Sequence, residues 1–435
     1  MRILTIVLSI LCAASVSAQV QHSFEGDSAE GAEPVRGEVL PYNKTRVVAG
    51  GKDELAYIAL PTDWSVATVD GRTEYRSAFT MPLSWLNRQV IVRIGRASAA
   101  FEVAVNGKKA GYCPSGAVAT EFNITKLAQK GRNEMTISLC DDARVNAIFS
   151  QKMRAGLSDI KVVCQPTIRI RDIVCHTTLE EDGGASTEIG IIVKCDALNP
   201  KQARIEYALR LRDTIVVAEG YRDIALDMRR EDTLRIHTRL PKEALWSAAT
   251  PTLLRLELNN RIAGRIVESI GRNIGARATA VKDNTLYING EPTRLRLTEY
   301  SQFVDVDKAL AAGFNGFVVP NGVAPERFYA ECDERGIYVV SASAIDATPF
   351  SGSIRRDGNP TNDPVWHDTF LARNEDNYLF VRSHPSVVGY IIGRGTTTGI
   401  NIYESYLLMK RLEGNLPIIY EGAGGEWCSD KVRIR

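Results

Sequence analysis

Between residues 72 and 140, apolar and polar residues alternate in short runs. YRSAFTM, QVIVRIG, AFEVAVNGKKAGY and NEMTISLC each keep the two-residue period of a strand with one face in a core and the other toward water. Asn106-Gly107, between AFEVAV and KKAGY, reads as a two-residue hairpin turn. No convincing helical period interrupts these strands, so residues 39–165 are predicted to form a β-sandwich. A second all-β segment covers residues 166–278. There STEIGIIVKC, ARIEYALRLR, DTLRIHTRL and TLLRLELNN recur at the spacing of an immunoglobulin-like sandwich of about seven strands. Trp246, ahead of a proline turn, is placed as a packing anchor under its last hairpin. From residue 279 the rhythm changes. A hairpin, TLYINGEPTRLRL, leads into alternating helix and strand: VDKALAAG, FNGFVVP, PERFYAECDERG, IYVVSAS, a helix within 363–383, VVGYIIG, a helix near 402–413, and LPIIYEG. Repeated units of this kind build a parallel sheet with ligand chemistry at the carboxyl ends of its strands. A full eight-unit barrel takes about 250 residues. Residues 279–435 offer four or five strands, so the predicted fold is multidomain β plus α/β with an incomplete (β/α) barrel.

The chain begins MRILTIVLSILCAASVSAQ, one Arg ahead of an apolar run and then small residues at Val16 and Ala18. Residues 1–18 read as a secretory signal peptide, too short to span a membrane, with cleavage expected before Gln19. Lipidation at Cys12 is disfavoured because Leu11 stands where a small residue is needed. Residues 19–38 are polar and rich in Gly, Ala and Glu, and read as a flexible leader. With 53 basic and 52 acidic residues, the chain has no charge bias toward nucleic acid or an anionic membrane. After Cys12 the cysteines are 113, 140, 164, 175, 195, 332 and 428, an odd and scattered set that suggests buried thiols and at most one bridge. No Cys/His cluster has zinc spacing. An exported protein, periplasmic or at the cell surface of a Gram-negative bacterium, is the expectation. Asp27-Ser28-Ala29, Asp213-Thr214-Ile215 and Asp232-Thr233-Leu234 resemble the short O-glycosylation sequon of exported Bacteroidota proteins.

Several stretches carry a family resemblance. The segment from YRSAFTM to NEMTISL, with its V-N-G-K hairpin and EFNIT turn, resembles a jelly-roll sugar-binding sandwich. LWSAATPTLLRLEL, INGEPTRLRL, RFYAECDERGIYVV and RSHPSVVGYIIG follow in the order and spelling of the β-galactosidase and β-glucuronidase family, glycoside hydrolase family 2. The resemblance covers about residues 72–425. It implies a three-domain body and a retaining mechanism with two carboxyls about 5–5.5 Å apart.

The chemistry implied by that resemblance is missing from the matching positions. The family's acid/base Glu, in G-N-E, falls on Gly395, and its Asn falls on Arg394. The family's D-E-A-N-I-E-T-H-G falls on residues 341–349, so Ser341 and Ala342 replace its first acidic pair. Asp346 and Thr348 replace the Glu and His that help hold magnesium. The H-E-H segment falls near Ser301 and Gln302, S-H-Y-P falls near Pro320-Asn321-Gly322, and Lys152 stands for an Asp in the loop at 149–154. The nucleophile belongs to a later strand than any before Arg435, which makes the chain resemble a degenerate, C-terminally truncated member. Glu404, Glu421, Glu426, Asp333 and Glu334 show no second carboxylate in register. His384 reads as a turn-stabilising residue, His176, His237 and His367 belong to no catalytic motif, and Trp366 faces the core. No catalytic residue, cofactor or metal ligand is therefore expected. The first expectation is a non-catalytic scaffold or binding subunit. The open barrel edge near Leu416–Gly422, or the inner face of the sheet, would be covered by a protein partner, a second copy or the chain's own tail. The alternatives are a β-galactosidase-like hydrolase with a displaced or partner-completed site, and a glycan-binding module using Trp64, Trp85, Tyr75 or Tyr112.

Overall fold

In AFEVAV the alternation becomes geometry: Phe101, Val103 and Val105 are fully buried, while Glu102 and Ala104 remain half-exposed. The computed structural model describes residues 29–42, 57–140, 148, 156–199, 201–350, 359–395, 397–421 and 427–434. The signal segment with Cys12, the loop at 149–154 with Lys152, Gly422 and Glu426 lie outside the described residues. The first domain is a jelly-roll sandwich of two five-stranded sheets around one core. The second has three antiparallel strands (Ile168–Leu179, Ala185–Cys195, Glu231–Leu240) packed on four (Lys201–Leu211, Ile215–Leu226, Leu254–Ile262, Arg265–Ile274). The fold class read from the sequence stands. None of the seven described cysteines is bridged. No helix among the described residues is long and apolar enough to cross a membrane.

The third domain is a parallel sheet of five strands: β1 (Leu297–Glu299), β2 (Gly316–Pro320), β3 (Tyr338–Ala342), β4 (Val387–Arg394) and β5 (Ile418–Glu421). Helices α1 (Val306–Ala311), α2 (Glu326–Arg335), α3 (His367–Val381) and α4 (Ile400–Leu412) connect them. Phe317 meets Phe328 of α2 and Tyr390 meets Tyr378 of α3, both at about 6 Å between ring centres, which fixes the helix-facing side. Val318, Val340 and Ile391 therefore point into the half-barrel, yet they are only 1%, 0% and 2% exposed. The same core takes in Leu286 and Ile288 from the entry hairpin and Cys428, Val432 and Ile434 from the tail. Asp430 donates its N–H to Ile418 O (2.8 Å) and accepts the Ile418 N–H on Oδ2 (2.8 Å), while Ser429 Oγ accepts from Tyr420 N (3.1 Å). Up to Glu421, the edge expected to be open is thus lined by the chain's own tail.

Trp246 does more than sit under a hairpin of its own domain. It is fully buried, donates Nε1–H to Asp333 O (2.8 Å) and lies edge-on to Tyr338, so it fastens the second domain to the third. Gly336, which ends α2 with φ +68°, lies under the second domain; a Cβ there would come within 2.3 Å of Ala248 O.

The flexible leader requires correction over residues 29–38. Glu30 exchanges backbone hydrogen bonds with Tyr112, Ala32–Glu33 pairs with Thr120–Asn123, and Arg36 is only 1% exposed. A polar composition suggested solvated charges, but each of these charges has a partner. Glu33 bridges Arg169 (3.2 Å) and Lys194 (2.5 Å), Arg36 bridges Glu121 (2.8 Å), and Glu38 bridges Lys161. Glu121, 4% exposed, also accepts from Arg93 (3.1 Å). Arg93 continues to Glu326 at the start of α2 (2.6 Å), and the other Glu326 oxygen accepts the Glu38 N–H (2.5 Å). Burial by itself would raise the Glu121 carboxyl; Arg36 and Arg93 outweigh it and hold that carboxyl at about 2. Because the folded value lies below the ordinary 4.5, this stabilisation is complete above pH 4.5 and is lost as the pH falls from there toward 2. Glu121→Gln strands two buried guanidiniums and is expected to cost about 3–5 kcal/mol at neutral pH. It should also flatten the acid limb of the stability curve. Urea unfolding at pH 7 and pH 3 measures both, and equal midpoints for variant and parent at pH 7 would refute the assignment.

Candidate functional site

The apolar run VVGYII makes β4 a buried strand, and the run ends by delivering Arg394 to the carboxyl end of the sheet. Every other strand sends residues to the same place: Glu299 from β1, Pro320 and Asn321 after β2, residues 342–346 after β3, and Glu421 from β5. Arg394 donates Nε (3.1 Å) and Nη2 (2.8 Å) to Glu421 Oε2, and Nη2 lies 3.5 Å from Glu299 Oε2. One guanidinium therefore ties the carboxyl ends of the two outermost strands. Partial burial works to lower its pKa, but the hydrogen bond and charge of Glu421, then Glu299 and Asp346, outweigh that and raise it. Arg394 is a permanent cation here. The space left among these side chains is about 50 Å³, against about 300–1,000 Å³ for ordinary ligand pockets.

Gly395 follows with its N–H on Glu421 O (3.0 Å). A Cβ at this position would stand 2.3 Å from Tyr420 Oη, and that hydroxyl is fixed by donating to Thr397 O (3.0 Å). The position is filled from the side, and no carboxylate side chain fits without moving Tyr420. Ser341 does not face the pocket. It is fully buried and turned to α3, where its Oγ donates to Asn377 Oδ1 (2.6 Å), while its neighbour Ala342 lines the opposite side. Ser343 repeats that turn onto Asn374 (2.7 Å). Asp346 accepts the N–H of exposed Thr348 (3.0 Å), and its main chain pairs with Arg394.

The residues that would stand in for magnesium ligands do not fit the ion. Thr348 is turned to solvent, and no group of three metal-ligating side chains occurs among the described residues. Gln302 is exposed and lines a different cleft, and buried Asn321 faces Ser341. His384 is held by Asp333 (2.6 Å) beside Tyr329, away from Arg394, and His176 and His237 are exposed on the second domain. His367 pairs with Asp368, Trp366 is buried, and Glu404 lies half-exposed on α4. Trp64 and Tyr75 pack on the jelly-roll core and Trp85 is 2% exposed, so none of the three offers a free aromatic platform. Glu299 and Tyr420, which shape the site most after Arg394, were missed in the sequence. The signal available was an arginine at a strand end with glutamates at the ends of other strands.

Two sandwiches followed by a parallel α/β sheet with charged strand ends form a body plan that multidomain glycoside hydrolases share. Residues 312–434 match the family model described as glycosyl hydrolases family 2, TIM barrel domain. A β-galactosidase of Priestia megaterium is 24% identical over 379 residues, covering 80% of this chain and 36% of the relative. One from Yersinia pestis is 26% identical over 390 residues, covering 82% and 37%. Among solved structures, a β-D-glucuronidase of Dictyoglomus thermophilum superimposes with a TM-score of 0.67 at 17% identity, covering 88% of this chain and 75% of that one. A Bacteroides uniformis β-glucuronidase gives 0.66 at 16% identity, covering 90% and 52%. The resemblance to glycoside hydrolase family 2 thus stands at the level of the barrel-domain match and the fold, and the chain spans little more than a third of the length of these curated relatives.

The packing of Gly395 against Tyr420 can be measured. Gly395→Ala is expected to lower stability by about 1–3 kcal/mol, as overpacking does. Tyr420→Phe, which removes the blocking oxygen, should recover part of that loss in the double variant. Strictly additive effects in the thermal unfolding cycle would mean that the two do not touch.

Proposed function

We propose that this chain is a non-catalytic member of its family, a binding or scaffolding body rather than a hydrolase. The Arg394 bridge between Glu421 and Glu299 supports this reading most directly. In a retaining mechanism one carboxyl must carry a proton to the leaving oxygen and the other must attack the sugar. Glu299 and Glu421 are close enough to invite that comparison, but both face one permanent cation. That cation lies between the two carboxylates and occupies the space they share. The position matching the family acid/base is a glycine with no room for a side chain, where general acid/base help would be worth about 10²–10⁴-fold.

The signal peptide read at residues 1–18 supports export. The tail lining β5 supports a body that needs no second chain at that edge, and a partner docking at Leu416–Gly422 would have to displace it. A monomer by native mass measurement is the expected state; a stable dimer would restore the partner at the edge.

Hydrolysis decides between the readings. The full chain and its Gly395→Glu variant are both expected to release no nitrophenol from 4-nitrophenyl β-galactoside or β-glucuronide above the buffer blank. Turnover by the parent that disappears in Glu421→Gln would place chemistry at the Glu299–Glu421 pair and overturn the proposal.

A further inference from the structure

A larger cavity than the one at the strand ends lies elsewhere among the described residues. A cleft of about 780 Å³ opens where the three domains meet, bounded by the jelly roll, the immunoglobulin-like sandwich and α2. Each domain contributes a guanidinium to it: Arg96 from the first, Arg272 from the second and Arg327 from the third. None of the three is in an ion pair among the described residues. Arg96 donates to Ser158 Oγ and to the carbonyls of Gly322 and Val323, and Arg272 donates to Ser383 Oγ and Glu38 O. Arg327 is exposed and has no hydrogen-bond partner among the described residues.

The carboxylates of the same cleft are mostly engaged elsewhere. Glu38 and Asp159 hold Lys161, Glu326 holds Arg93, and Asp333 holds His384. Among the described residues only Glu334, exposed at the rim, is left without such a partner. The cleft therefore sets these three guanidiniums, with Arg255 on Asn273 Oδ1 (3.2 Å) beside them, against the one carboxylate left over among the described residues. Tyr300 adds a half-buried ring whose hydroxyl feels both Arg96 and Arg327, and Gln302 and Asn273 add exposed amides. The volume far exceeds that of a single inorganic anion and lies in the range of pockets for whole small ligands. Guanidiniums bind planar carboxylates and sulfates through paired hydrogen bonds. Amides and a phenol serve hydroxyl groups.

We propose that this three-domain cleft binds an anionic saccharide, carboxylated or sulfated, with its acid groups on Arg96, Arg272 and Arg327. The inference rests on the binding-body reading by supplying its ligand class. It uses none of the residues around Arg394.

The test is calorimetric titration of the full chain with digalacturonate, a sulfated chondroitin disaccharide, neutral digalactose and inorganic sulfate. Either acidic disaccharide is expected to bind at least ten-fold more tightly than digalactose and than sulfate alone. Arg327→Gln removes a side chain that supports nothing in the fold and should weaken that binding by about ten-fold or more, in keeping with a charge-assisted hydrogen bond. Glu334→Gln, which deletes the opposing charge, should tighten it. Equal binding of acidic and neutral disaccharides, binding matched by sulfate alone, or indifference to both variants would each overturn the proposal. Nitrophenyl glycoside turnover is a separate readout, so a catalytic chain and an empty cleft would be told apart.

Discussion

The buried carboxylate of Glu121 is the constraint on which the three-domain arrangement depends. It sits in the jelly roll, yet its two guanidinium partners come from different places, Arg36 on the N-terminal strap and Arg93 on a neighbouring strand. Arg93 then passes the connection to Glu326 on α2 of the barrel domain. Charges buried this deeply are costly unless paired, so the pairs favour one relative placement of the domains. Apolar anchors work in parallel. Trp246 carries the second domain onto the third, and Gly336 lets α2 end directly beneath Ala248.

With the domains fixed, the carboxyl ends of the parallel strands are still assembled as an enzyme's would be. What changes is the sign and the space. A strand end delivers an arginine between two glutamates and closes the place with an ionic clasp. Tyr420 fills the volume in which a side chain at position 395 would have to begin. The polar residues left over after β3 turn outward: Ser341 and Ser343 satisfy Asn377 and Asn374 on α3. The inner face of the five-strand sheet is buried, and the entry hairpin and the tail belong to the same apolar core.

Much of this was legible in the sequence, for identifiable reasons. Alternation marked the sandwich strands because one face of each is solvated. The apolar run of β4 and the glycine at 395 were readable because strand period and residue type are local properties. The strap at residues 29–42 was not legible. Its charges look like those of a solvated linker, and only the partners Glu121, Arg169 and Lys161, far along the chain, show that they are buried. Glu299 was missed for the same reason: its meeting with Arg394 depends on how strongly the sheet curls, which no window of sequence reports. The interdomain cleft belongs to neither sandwich nor barrel and appears only when all three are placed.

The hydrogen bond from the Glu38 amide to Glu326 joins residues 288 positions apart. A contact of that span cannot form early, since the closure entropy of so long a loop must be met by structure already in place. The sandwiches can collapse on local pairings while the strap waits for α2 to exist. Until then Arg93 and Glu121 lack part of their setting. The fastening of the strap onto α2 thus depends on structure formed elsewhere in the chain.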